Sequence, residues 1–155
     1  QKSLEIKMRR IIRISIFLLL AGTIVCPTGA EAKKKIKDTF KVTAQLVKIP
    51  GKFPPDELYK YAYVMQYKVV DGERKGQLIY VAHYKPRQDR GKIEGKMKKY
   101  VSGSLKRFRE GDVHELLLAP KIKKVWRGAT IDEFFATDRK SPRYFCLKVD
   151  PHKGK

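Results

Sequence analysis

The sequence predicts a mostly-β domain with one main helix, set behind an N-terminal signal helix, and three observations carry that prediction. Apolar and polar residues alternate with period two over 40–46, as in a half-buried strand, 61–70 is apolar on both faces at its start, as in a central strand, and 77–84 reads as its hairpin partner. The period lengthens to that of a helix over 93–108, then returns to strand over 113–118 and 143–149. Ahead of these, Arg9, Arg10 and Arg13 lead into an uncharged apolar run over 14–25, which Pro27 and Gly29 break.

The leader has the three regions of a secretory signal peptide: a basic start, an apolar centre and small residues at the cleavage point. Met8 is the natural start, and Ala30 and Ala32 place cleavage after one or the other. Lipidation is disfavoured because Val25, and not a small residue, precedes Cys26. The uncharged run 14–30 is at the short limit for spanning a bilayer, which takes about 20 apolar residues. The expected location is therefore the periplasm or the extracellular space, with membrane contact only in transit through the signal peptide. Export removes Cys26 and leaves Cys146 alone, so no intramolecular disulfide is expected. Cys146 lies in a strand-like run and reads as a buried, inert thiol.

A basic arm, 33–39, opens the expected mature chain, a single domain spans 40–150, and 151–155 is a tail. The first strand, over 40–46, ends at Pro50-Gly51. Two prolines hold 52–56 extended, and a short helical turn is expected at 56–59. Strands over 61–70 and 77–84 form a hairpin through Asp71-Gly72. In the helix, Ile93, Met97, Tyr100, Val101, Leu105 and Phe108 make one stripe, and Gly103 weakens it by roughly 1 kcal/mol relative to alanine. Gly111 releases the chain into the fourth strand. Thr130 and Glu133 have the spacing of a capping box, which predicts a short helix through Phe134 and Phe135.

Three strands, a helix and two more strands make up the element order of the OB-fold, a small five-stranded Greek-key barrel. The stretch from Phe108 through Gly111 to Val113 resembles the helix-to-strand joint of such barrels. An open antiparallel sheet with one packed helix is the alternative. Fold analogy does not fix function. Micrococcal-type nucleases are an exported, basic OB-type class, but their spaced Asp, Arg and Glu pattern is not found. Asp71, Glu73 and Arg74 cluster only in the hairpin loop.

Charge narrows the partner. Lysine and arginine number 36 against 16 aspartates and glutamates, a formal net of +20. The leader takes five bases and two acids with it, which still leaves +17 on the mature part. Such a field draws in polyanions. The expected partners are an anionic polysaccharide, a lipid headgroup or an acidic envelope protein, and export sets chromosomal nucleic acid aside. Candidate anion contacts are Lys85, Arg87 and Arg90 after the third strand, and Lys121, Lys123, Lys124 and Arg127 around Trp126. Tyr63, Tyr80 and Tyr84 would supply stacking faces for bases or sugars, as OB barrels do. The competing reading is that such tyrosines fill the interior.

Catalytic patterns are sparse. His83, His114 and His152 show no paired-histidine, HExxH or CxxC spacing, so neither metal nor cofactor is expected. Ser102 and Ser104 flank Gly103 without a nucleophile elbow, and Gly91, Gly95 and Gly103 are too scattered for a phosphate loop. The sequence reading is therefore an exported, non-catalytic binding module for an anionic envelope partner. A structural protein docking on another envelope protein is second. A small secreted hydrolase built on His83 or His114, or a nuclease, is third.

Overall fold

The computed structural model describes residues 36–154. The leader, the cleavage residues Ala30 and Ala32 and the first lysines of the arm lie outside the described residues. Seven strands form one sheet: β1 Phe40–Lys48, β2 Tyr61–Val69, β3 Leu78–Tyr84, β4 Ser102–Gly103, β5 Val113–Ala119, β6 Ala129–Ile131 and β7 Arg143–Pro151. β1 buries one face of its alternating pattern, whereas β2 and β3 supply an apolar face to each side of the sheet.

The sheet closes on itself. It runs β1-β5-β7-β3-β2, and β2 pairs back onto β1 with Ala44 opposite Val69. The β2–β3 hairpin forms as expected, with Met65 opposite Val81. β3 and β7 pair in parallel, Val81 opposite Tyr144, whereas β7 runs antiparallel to β5. Register shifts at Leu46/Lys48 and Leu117/Leu118 bend the strands where the ring must turn. An open antiparallel sheet is thus corrected to a ring-closed sheet of mixed pairing.

The pleat divides the apolar residues between two clusters. Inside the ring lie Leu46, Tyr61, Tyr63, Met65, Tyr67, Ile79, Leu116, Leu118 and Cys146. Ala62, Val64, Tyr80, Ala82, Tyr84, Phe145 and Leu147 form the opposite face of β2, β3 and β7, where connecting segments cover them. The sheet and both clusters fall within the described stretch, which therefore carries its own core.

The main helix is not formed. Residues 93–108 make a 3-10 turn at Gly95–Lys99, the two-residue β4, and an extended run. The stripe belongs to two destinations. Ile93, Met97 and Val101 pack on the outer cluster, whereas Leu105 and Phe108 enter the ring. No single helix face can serve both sides of a sheet. Gly95 and Gly103, at φ of 66° and 128°, supply the bends that separate them. The expected capping-box helix is a 3-10 turn, Glu133–Ala136, capped by Asp132 through Phe134 N–H at 3.1 Å. Thr130 is instead held in β6, opposite Ala62 of β2. The tail starts later than expected, since β7 continues through Pro151 and His152 N donates to Val113 O at 2.9 Å.

Candidate anion-binding surface

Segment 121–127 is built as a pinned turn. Ile122 and Val125 pack on the outer cluster, and this turns Lys121, Lys123 and Lys124 into solvent. Trp126 folds over Tyr84 at 5.1 Å between ring centroids, and its Nε1 donates to Ala129 O at 2.9 Å. Arg127 is exposed beside it. Lys124 meets Asp38 at 3.7 Å with both side chains exposed, a pairing that neutralises little.

The segment 90–99 brings a second set of cations to the same cluster. Met97 is buried there, and Lys96, Lys98 and Lys99 around it are exposed. The sequence signal was available: Lys96-Met97-Lys98-Lys99 and Lys121-Ile122-Lys123-Lys124 share the order lysine, apolar, lysine, lysine. Both form 3-10 turns whose apolar residue packs on the outer cluster while the lysines project. A helix over 93–108 would disperse the first set around its surface, which is why the helical spacing hides it.

The candidates after β3 separate. Arg87 is exposed. Lys85 is half-buried, and its Nζ donates to Asp56 O at 3.0 Å, tying the 49–60 loop to the end of β3. Arg90 is 3% exposed. Its guanidinium donates to Tyr84 O at 2.6 Å, to Gln88 O at 2.6 Å and to Lys85 O, over the ring of Phe108. It stitches the β3 exit together and cannot reach an external anion.

The three tyrosines are all buried. Tyr63 faces into the ring, where its hydroxyl donates to Glu133 Oε1 at 3.0 Å and Phe53 packs edge-on at 5.0 Å. Burial, then the Glu133 bond, pushes its pKa up to about 12. Tyr80 is covered by Phe134 at 5.1 Å and by the Arg143 guanidinium at 4.5 Å. Tyr84 lies under Trp126. The chain's own segments thus occupy the faces a base or sugar would need. Trp126 is half-buried and Phe134 buried, so they make no open apolar patch with Phe135, which is 52% exposed.

His83 and His114 do come together, inside the ring. Tyr67 Oη lies 3.1 Å from His83 Nε2 and 3.3 Å from His114 Nδ1. One hydroxyl proton serves one imidazole, and the other imidazole donates back. The outer ring nitrogens, His83 Nδ1 and His114 Nε2, have no hydrogen-bond partner among the described residues. Both imidazoles are 0% exposed, so neither presents a face to solvent. Burial, followed by the nearby Arg90 charge, holds the His83 pKa well below its ordinary value. Burial also lowers that of His114, against an opposing pull from Asp112. Cys146 is buried, and desolvation pushes its thiol up to about 12.

A cleft of about 460 Å3 opens elsewhere, between β1, β5, β7 and the 71–74 loop. Its acids Asp71, Glu73, Glu115 and Asp150 are interleaved with Lys41, Arg74 and Lys148, and Lys148 pairs with Asp150 at 2.6 Å. That lining has no excess of positive charge for an anion.

The molecule belongs to the class of small closed-sheet β domains, with a lysine-rich surface over its outer apolar cluster. Comparison with protein-family models, with curated proteins and with solved structures gave no match.

Proposed function

We propose that the chain is an exported, non-catalytic module of OB type that binds an anionic partner of the cell envelope. The OB-type reading is supported by the ring order β1-β2-β3-β7-β5-β1, with β3 and β7 as the parallel pair. The observation that carries the function is the pair of pinned turns. Lys96, Lys98 and Lys99 and Lys121, Lys123 and Lys124 project from one apolar base, joined by Arg127. Seven cations fixed to one folded base repel one another unless a polyanion collects them. Lysines dominate, which suits a partner recognised by charge density over one read by bidentate geometry.

The test is retention of residues 33–155 on immobilised heparin. Elution well above physiological ionic strength, about 0.15 M, is expected. Lys98→Ala with Lys99→Ala, or Lys124→Ala with Arg127→Ala, should lower the eluting salt and leave thermal unfolding unchanged. Elution of the wild type below physiological ionic strength overturns the reading.

A further inference from the structure

We propose that the sheet end carrying the 49–60 loop docks on an anionic lipid surface, with Leu58 and Tyr59 as its apolar tip. This inference rests on the anionic-partner reading and selects one partner class within it.

Leu58 is 68% exposed and Tyr59 45%, side by side at the loop tip. They are not there through slack in the chain. Tyr61 Oη donates to Pro54 O at 2.8 Å, Leu58 N to Pro55 O at 3.3 Å, and Lys85 Nζ to Asp56 O at 3.0 Å. The loop is fastened on both sides of the tip, and Tyr59 leans on the Tyr61 ring at 5.6 Å. A built turn therefore presents leucine and tyrosine to water.

The same end is basic. Lys60 follows the tip and is exposed. Arg87 follows β3, whose Tyr84 pairs with Ala62 just inside the tip. Arg127 precedes β6, whose Ala129 pairs with Tyr61. The strand register thus gathers Lys60, Arg87 and Arg127 around Leu58 and Tyr59. The acids at this end are Glu57, exposed, Asp56, half-buried, and Glu133, exposed, which lies against Gly51 of the same loop and accepts from Tyr63 Oη; Lys52 and Lys85 add two further cations there.

The combination separates the partner classes. A polysaccharide in water has nothing to cover an exposed leucine. A stable protein interface needs about 800 Å2 per partner, far more than two side chains supply. A headgroup layer accommodates both parts: leucine and the tyrosine ring enter the boundary zone while the cations remain among the phosphates.

The experiment is cosedimentation of residues 33–155 with vesicles of phosphatidylcholine alone and of phosphatidylcholine mixed with phosphatidylglycerol, alongside heparin retention. Wild type should bind the mixed vesicles and not the neutral ones. Leu58→Ser with Tyr59→Ser should weaken mixed-vesicle binding at least tenfold and leave heparin elution and thermal unfolding unchanged. Lys124→Ala with Arg127→Ala should weaken both. If the double serine variant sediments with mixed vesicles as wild type does, or wild type is retained on heparin but not on vesicles, the lipid inference is overturned and the anionic reading stands. If wild type binds neither, the anionic reading itself falls.

Discussion

Lowering the pH from 7.5 to 5 should destabilise this fold well before its carboxylates titrate, because two histidines are sealed inside the ring. His83 on β3 and His114 on β5 meet Tyr67 of β2, with Arg90 and Cys146 of β7 close by. Tyr67 and Cys146 have raised pKa values and stay neutral, Arg90 adds a positive charge, and only Asp112 favours protonation of His114. The unfolded chain takes up protons at both imidazoles below about pH 6.5, whereas the folded chain resists. Stability from this source is therefore complete above about 6.5 and is lost as the pH falls toward the depressed folded values. The slope is about 1.4 kcal/mol per pH unit for each histidine kept neutral. Between pH 6.5 and 5, a His83 that stays neutral throughout contributes a loss of at most about 2 kcal/mol, and His114 adds a smaller loss of the same sign. That is a large part of the roughly 5–15 kcal/mol that stabilises a domain. Urea midpoints measured in half-unit pH steps give the slope. His83→Gln and His114→Asn keep an amide facing Tyr67 and should flatten it, whatever they do to absolute stability. A wild-type midpoint that is constant from pH 7 to 5, or an unchanged slope in the double variant, refutes the reasoning.

Three further outcomes are expected. Gly103→Ala should destabilise by about 3 kcal/mol or more in urea titration, because its φ is 128° and an added Cβ would overlap the Val149 carbonyl. Arg90→Ala should cost about 3 kcal/mol by the same assay, since it strands the Tyr84, Lys85 and Gln88 carbonyls, yet the folded protein should elute from heparin as wild type does. Cys146 should resist a thiol reagent at pH 8 in the native state and react promptly in denaturant, since burial holds its thiol up near 12.

The strands were legible because a two-faced segment announces itself. β2, with Tyr61, Tyr63, Met65 and Tyr67 on one face and Ala62 and Val64 on the other, could only be a strand covered on both sides. The 93–108 segment was misread for the complementary reason. Its spacing matched a helical stripe, but spacing does not reveal that Met97 and Phe108 are destined for opposite sides of a sheet. Burial of Arg90 was equally hidden: a charged residue in a charged connector gives no sign that backbone carbonyls surround it. The tyrosine-rich strands suggested stacking platforms, yet the segments that cover Tyr80 and Tyr84 come from 122–134, remote in sequence. The lysine turns were half legible. Those at 121–124 stood out beside Trp126, whereas those at 96–99 were absorbed into the supposed helix.

β7 pairs with β5 on one edge and with β3 and β4 on the other, and it is the last strand along the described chain. Synthesis delivers a chain from its N-terminus. The β1–β2–β3 meander can therefore assemble early, but its edges at β1 and β3 must wait, unpaired, for partners that emerge later. Every contact that closes the ring through β7 spans a long sequence separation, which makes closure a late and slow event. Until then the described stretch is an open, lysine-studded ribbon, and Cys146 is the only cysteine among the described residues. The ring can shut only once its final strand has arrived.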